Sequence, residues 1–494
     1  MNELAVVALT AVPLAAGALV LVGPARYAAR LALGATGLAV VAGLALAGAA
    51  LAGGPLRAFG GLVVLDSLGA WVLALTLIVA GLAIAASPGY LRHELERGAL
   101  RPVDEQRYYA LFLAFLASLS AIPLLDNLGL LWIAIEATTV VSALLVGLVR
   151  TTQAIEAAWK YLILGTIGIG FALLGTLLAY ASSVPALGET SDALSWTRLV
   201  AVGPALNPAL LRLAFLFALV GYGTKMGLVP FHTWLPDAHS QAPSPISALL
   251  SGATLNAALY ALIRFRLVTA GALGEGYPST LLILFGLLTI AVALPFLVAQ
   301  GDLKRLLAYS SVEHMGVLAL GIGFGGPLAL LGTVFHMGLH SLTKATLFLS
   351  GGELVQQYGT RSLARLRGTL AAAPVAGGAA GVGVILLGGL PPVGHLRQRV
   401  RDRPGRHPAR LRPGRCRRRA PPRAHVRRPR LPRRPAALRG ARRQAGAGRA
   451  GCPVRAAPGR AAPDRGCARA LDPRTARGRA ERGRGGAGRR PWMS

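Results

Sequence analysis

The stretch GYGTKMGLVPFHTWLPDAHSQAPSPISALLSG, residues 221–252, sets a lysine near the end of an apolar run and follows it with a proline. Lys225 stands five residues before Pro230. A charge at the centre of a hydrocarbon span costs about 2.5–3.5 kcal/mol on insertion scales, so it needs a reason. The proline interrupts the helix and frees carbonyls that can hydrate or hold a cation, which is tolerated at membrane depth only where protein encloses the backbone. A broken, lysine-bearing membrane helix therefore points to an all-α polytopic membrane protein. Trp234, Pro236, Asp237 and His239 read as a loop capping the break, with Asp237 structural rather than catalytic.

Composition agrees with this reading. Of 494 residues 53% are hydrophobic and 15% charged, and the mean hydropathy is +0.53. Apolar runs fall at about 4–23, 29–52, 62–87, 107–124, 127–148, 158–182, 209–229, 244–263, 279–299, 306–325, 327–351 and 371–392. Each is long enough to cross roughly 30 Å of hydrocarbon as helix, which predicts twelve spans. The first lacks the basic leader of a secretory signal and reads as a retained span. Arg and Lys in the connections divide thirteen to five between alternate sides, which predicts a bacterial-type cytoplasmic membrane location with the N-terminus outside.

The net charge of +32 is confined to one end. Residues 1–392 hold 20 Lys and Arg against 16 Asp and Glu, a balance of +4, whereas 393–494 hold 32 against 4, a balance of +28. That tail contains no Lys, Ile, Phe, Tyr or Asn, and it carries all three cysteines. The body thus offers no disulfide, thiolate metal site or iron–sulfur site, and no nucleotide, flavin or quinone motif, so no cofactor is expected. A basic region selected for charge has no reason to exclude lysine, and a nucleic-acid binder normally interleaves aromatic residues. Arg, Ala, Gly and Pro are the residues of GC-rich codons, so the tail is read as an out-of-frame translation starting near codon 393. The alternative is a disordered basic extension.

Four segments emerge: N-terminal helices at 1–106, a repeat at 107–265, an incomplete second repeat at 279–392 and the tail at 393–494. The first repeat starts at YYALFLAFLASLSAIPL and reaches its broken helix at GLVPFH; the second starts near 279 and reaches GLPP at 389–392. Paired broken helices in two inverted five-helix repeats are the usual pointer to an ion path.

Further charges lie inside the spans. Glu136 sits in the middle of LLWIAIEATTVVSALLVGL, and it forms with Lys225 either a structural ion pair or a functional couple. FHMGLHSLTKATLF places His336, His340 and Lys344 four residues apart, one stripe of a helix able to relay protons. A metal pair is disfavoured, because no Glu follows His336 as in the zinc-protease motif and no further ligand is evident. Glu313 and His314 form another relay pair or a satisfied polar contact, and Glu313 holds the repeat position of Glu136.

With these residues in view, residues 221–252 resemble the signature of the antiporter-like membrane subunits of respiratory complex I, the Mrp cation/proton antiporters and the energy-converting hydrogenases. IEATTVVSALLVGL followed by AIEAAWKYLILG is most similar to the component F branch of hydrogenase-4. The resemblance covers nearly all of residues 60–392 and implies about 14 helices in a complete member. It implies that Glu136 and Lys225 are a coupled pair and that His336, His340 and Lys344 continue a mid-membrane proton axis. Asn256 stands where lysine is frequent; it can hydrogen-bond a water chain but cannot hold charge. The charged residue expected shortly after GLPP falls where this chain reads HLRQRV.

The expected function is proton translocation by a non-redox membrane subunit of a hydrogenase-4-like or NADH-quinone-oxidoreductase-like complex. The expected partners are other membrane subunits, a hydrogenase or dehydrogenase arm, protons or Na+, and lipid, with no nucleic acid. The rivals are a subunit of an Mrp-type Na+/H+ antiporter and a membrane scaffold whose basic tail binds anionic lipid or nucleic acid.

Overall fold

The computed structural model describes residues 2–388. Helices α1 (Asn2–Val22) and α2 (Ala28–Gly53) come first, followed by a small antiparallel pair, β1 (Leu56–Ala58) and β2 (Val63–Leu65). Next are α3 (Ser67–Glu96), α4 (Pro102–Ala121), α5 (Leu128–Val146) and α6 (Thr152–Leu187). Short α7 (Trp196–Ala201) leads to α8 (Pro208–Met226), the break, α9 (Trp234–Gln241) and α10 (Ser244–Leu249). A π turn at Leu250–Thr254 joins α10 to α11 (Leu255–Leu273). Then come α12 (Gly276–Ala299), α13 (Leu303–Phe324), α14 (Gly326–Tyr358), α15 (Thr369–Ala372) and α16 (Pro374–Leu387).

Short polar side chains set the helix starts. Asn127 accepts hydrogen bonds from the Gly129 and Leu130 amides, and Asp66 and Asp302 accept from the Gly69 and Arg305 amides. Asp66 explains a departure from the expected span at 62–87: Leu56–Ala58 pairs with Val63–Leu65, and α3 starts after this cap and runs to Glu96.

Among the described residues, ten stretches are helices long and apolar enough to cross a membrane, with Ser244–Leu273 counted as one across the π turn. Twelve were expected. The eleventh, at 327–351, lies within α14, whose 33 residues reach about 50 Å but carry the polar stripe of His336, His340 and Lys344. The twelfth, at 371–392, is represented by α15 and the 14-residue α16. The GLPP break, the end of the second repeat and the tail at 393–494 lie outside the described residues.

Chain direction accounts for the inverted repeats. α4 and α12 are separated by five crossings when the broken α8–α9 helix and the α10–α11 run each count as one, so they enter from opposite faces. Contacts between distant loops agree. Phe59 N donates to Glu3 Oε1 and Arg264 pairs with Asp66 on one face, while Arg150 pairs with Asp104 and Gln356 bonds Glu94 on the other.

Small residues let the helices pack closely, as membrane bundles require when hydrophobicity cannot drive helices together. A Cβ on Gly221 of α8 would stand 2.4 Å from the Ala172 amide nitrogen and 2.7 Å from the Gly168 carbonyl oxygen of α6. Only glycine permits that approach, and it brings Lys225 against α5 and α6.

Candidate functional site: a buried polar axis

α8 ends at Gly227, whose φ of 79° is left-handed and suits glycine. A Cβ there would meet Leu235 Cδ1 at 2.5 Å. The helix thus stops one residue beyond Lys225, which places the lysine in the last turn, where the partial negative charge of a helix C-terminus favours a cation. The freed groups find partners: Trp234 Nε1 donates to the Thr224 carbonyl at 2.8 Å, and Val229 N donates to Thr289 Oγ1 of α12 at 3.1 Å. Pro230 lies in the break, behind a cis Val229–Pro230 bond.

Lys225 is 1% exposed. Its Nζ donates to Tyr161 OH at 2.7 Å and to Thr139 Oγ1 at 2.8 Å, and Tyr161 OH shares a 2.7 Å hydrogen bond with Ser142 Oγ. The Tyr161 ring stacks on Trp234 at 4.5 Å, which holds the phenol in place. Of the two readings of Glu136 and Lys225, a structural ion pair or a functional couple, the described residues show no direct ion pair between them. Glu136 lies half-buried on α5, where its Oε1 accepts from Thr166 Oγ1 of α6 at 3.0 Å. Its buried Oε2 has no partner among the described residues. Glu136 remains within electrostatic range of both Lys225 and Tyr161. Its hydrogen-bond partner Thr166 is exposed on α6, so Glu136 is held to that helix by one oxygen and makes no contact with the lysine.

The residues after the break form helix α9, which corrects the expected capping loop. Asp237 binds Lys160 at 3.3 Å and Arg305 at 2.9 Å, tying α6, α9 and α13 together. His239 instead points inward and is fully buried. Its Nδ1 lies 2.9 Å from the Leu235 carbonyl, and its ring sits 6.0 Å from Trp234 and 5.8 Å from Phe348. It therefore lies between the Lys225 cluster and a second cluster around Lys344.

That second cluster assembles on α13 and α14 against the π turn. Lys344 Nζ donates to the Leu307 carbonyl at 2.9 Å and to Ser310 Oγ. His314 Nδ1 and His336 Nε2 share a hydrogen bond of 2.9 Å, so one of these nitrogens is bare, a geometry through which a proton can pass. His340 lies 5.6 Å from His314, ring to ring, with its Nε2 3.3 Å from the Ser251 carbonyl. Glu313 Oε2 stands 3.6 Å from His314 Nε2. Ser251 Oγ bonds Ser311 Oγ at 2.8 Å, and Ser341 Oγ donates to the Gly252 carbonyl at 2.6 Å. π turns leave carbonyls off the regular ladder and cluster at functional sites; here those of Ser251 and Gly252 receive side chains from α14. Asn256 is engaged as well, with Nδ2 donating to Ser341 Oγ at 2.7 Å and to the Met337 carbonyl at 3.3 Å.

Sequence reasoning missed Tyr161, Thr139 and Ser142, although the hydroxyl-rich TTVVS run of α5 was a signal. It also counted Lys304, Arg264 and Arg266 as connection charges. Lys304 is 3% exposed and donates to the Ala242 carbonyl at 2.7 Å. Arg264 is 1% exposed, held between Trp196 at 3.9 Å and Tyr260 at 4.4 Å and paired with Asp66. Arg266 is buried and pairs with Glu275. Among the described residues, no three His, Cys, Asp or Glu side chains are arranged to hold a metal ion.

Comparison with known proteins adds independent findings. Residues 126–399 match the family described as NADH:quinone oxidoreductase/Mrp antiporter, transmembrane. The chain is 40% identical over 335 residues to a hydrogenase-4 component F homolog of Methylacidiphilum infernorum, covering 68% of this chain and 70% of that one. It is 28% identical over 294 residues to hydrogenase-4 component B of Escherichia coli, covering 56% of this chain but only 42% of that one. A chain of respiratory complex I from Thermus thermophilus superposes with a TM-score of 0.62 at 27% identity, covering 79% of this chain and 80% of the other.

Proposed function

The chain belongs to the NADH:quinone oxidoreductase/Mrp antiporter transmembrane family, and from that premise we propose that it is the proton-translocating membrane subunit of a hydrogenase-4-type respiratory complex. It is a multi-pass membrane protein. The single observation that carries the reading is the pair of buried lysines, Lys225 and Lys344. Each is held by hydroxyls and carbonyls, with no carboxylate in contact among the described residues, and His239 stands between the two clusters.

The mechanism is electrostatic. A buried ammonium held by neutral groups keeps its proton only as far as nearby charges allow, so a change in the charge of Glu136 changes the hold of Lys225 on its proton. Thr166, which holds Glu136, is exposed on α6, so a neighbouring membrane subunit docking there is placed to alter the charge or position of Glu136. Tyr161, Thr139 and Ser142 offer a hydroxyl route at Lys225. His314, His336 and His340 offer an imidazole route beside Lys344. Moving one charge across the membrane stores about 2.3 kcal/mol per 100 mV, which a pKa change of under about two units supplies. The redox energy comes from partner subunits, and this chain itself binds no cofactor. It sits in the cytoplasmic membrane of a bacterial-type cell with its N-terminus outside.

The test is reconstitution of the complete complex in liposomes with a pH-sensitive dye inside. Lys225→Ala should reduce donor-driven acidification to background while the complex still assembles. Full transport by that variant would overturn the proposal. Sodium-dependent proton exchange without any redox donor would instead identify a cation antiporter.

A further inference from the structure

On the side of the bundle formed by α1, α4 and α5, away from the polar axis, lies an open cavity of about 500 Å³. Leu14 and Leu21 of α1, Ala114 of α4 and Leu144 of α5 line it, and Arg107 and Arg150 stand at its mouth. This volume lies within the ~300–1,000 Å³ range of small-molecule pockets. The lining is graded. Leu21 and Arg150 lie at helix ends, whereas Ala114 lies seven residues beyond Arg107 along α4, about 10 Å deeper toward the bilayer centre. The basic groups are thus at headgroup depth and the apolar walls at acyl depth.

Charge points the same way. Asp104, whose side chain is 3% exposed, is bonded by Arg101, Arg107 and Arg150, whose side chains remain 58%, 48% and 47% exposed. Three guanidinium groups around one carboxylate leave surplus positive charge with open donors, and the planar guanidinium fits a phosphate in bidentate fashion. Arg150 also has a φ of 56°, a left-handed conformation uncommon for a residue with a Cβ. Glycine would fit that backbone without strain, so the residue is there for its side chain, which pairs with Asp104 and still leaves donors open at the cavity mouth.

We infer that the α1–α4–α5 cavity binds one anionic phospholipid, its phosphate held by Arg107 and Arg150 and an acyl chain lying between α1, α4 and α5. The site is separate from the proton axis and does not rest on the function proposed above.

The experiment places the full chain, with the subunits that accompany it, in nanodiscs of phosphatidylcholine. The discs contain a trace of photoactivatable phosphatidylglycerol or photoactivatable phosphatidylcholine, and labelled peptides are mapped by mass spectrometry. The anionic probe should label α1, α4 and α5 about tenfold more than the zwitterionic probe, because both carry a phosphate but the choline of the latter brings a second cation against the arginines. Arg150→Gly, which suits the local backbone, should remove most of that preference. Arg107→Gln/Arg150→Gln should remove all of it, and Arg57→Gln at β1 should change nothing. Equal labelling by the two probes, or a preference that survives Arg150→Gly, would overturn the inference. So would a partner helix cross-linked into the cavity in place of lipid. If the double variant fails to elute as a single species, Arg150→Gly alone decides.

Discussion

Tyr161 does more for the buried lysine than any carboxylate does. Its hydroxyl lies 2.7 Å from Lys225 Nζ and 2.7 Å from Ser142 Oγ, and its ring is pinned by Trp234. Tyr161→Phe should keep the ring stack and leave Lys225 with Thr139 as its hydrogen-bond acceptor. The expected cost is about 1–3 kcal/mol for under-satisfied buried groups, read as a lower thermal-unfolding midpoint in detergent. Transport in liposomes should fall sharply in the assembled complex. Unchanged transport would remove Tyr161 from the path. Lys225 was legible in the sequence because a charge five residues before a proline in an apolar run has few explanations. Tyr161 was not, because a tyrosine in a membrane helix is ordinary until its partner on another helix is known.

At the scale of elements, the decisive contact is between α6 and α8. Gly221→Val would drive a side chain into Ala172 and the Gly168 carbonyl, at 2.4–2.7 Å for the first added carbon. Backbone must move, and overpacking of this kind costs about 1–3 kcal/mol or more. The expected result is a lower unfolding midpoint together with lost transport, because the shift opens the Lys225–Tyr161 contact. Gly170→Ala, whose added carbon meets nothing within 4 Å, is the matched control and should leave both readouts unchanged. The stripe of His336, His340 and Lys344 was readable from helical spacing, and α14 places it along one helix. The π turn at Leu250–Thr254 was not readable, since LSGAT has no residue pattern that separates a π turn from an α-helical one.

For the described part of the molecule, contacts far apart in sequence tie the bundle together at both faces. Arg264 reaches Asp66 and Gln356 reaches Glu94. A composition change near codon 393 separates this body from the arginine-rich segment. Resequencing the gene across codons 385–405 should show one missing or extra base, and the restored frame should continue as an apolar helix with a Glu or Lys soon after GLPP. An unchanged sequence would make the segment an encoded part of the protein and overturn the out-of-frame reading.

The sequence by itself determined that the chain crosses the membrane many times, that one helix breaks beside Lys225, and which family it joins. Those features depend on local hydrophobicity, proline and short-range spacing, all of which are written along the chain. Only the tertiary structure decided that Glu136 bonds Thr166 and does not contact Lys225. It also decided that His239 lies between the two lysine clusters and that Lys304 and Arg264 are buried. Each of these depends on which helix faces which, and in a membrane bundle small residues and interhelical hydrogen bonds settle that through close approaches between positions tens to hundreds of residues apart.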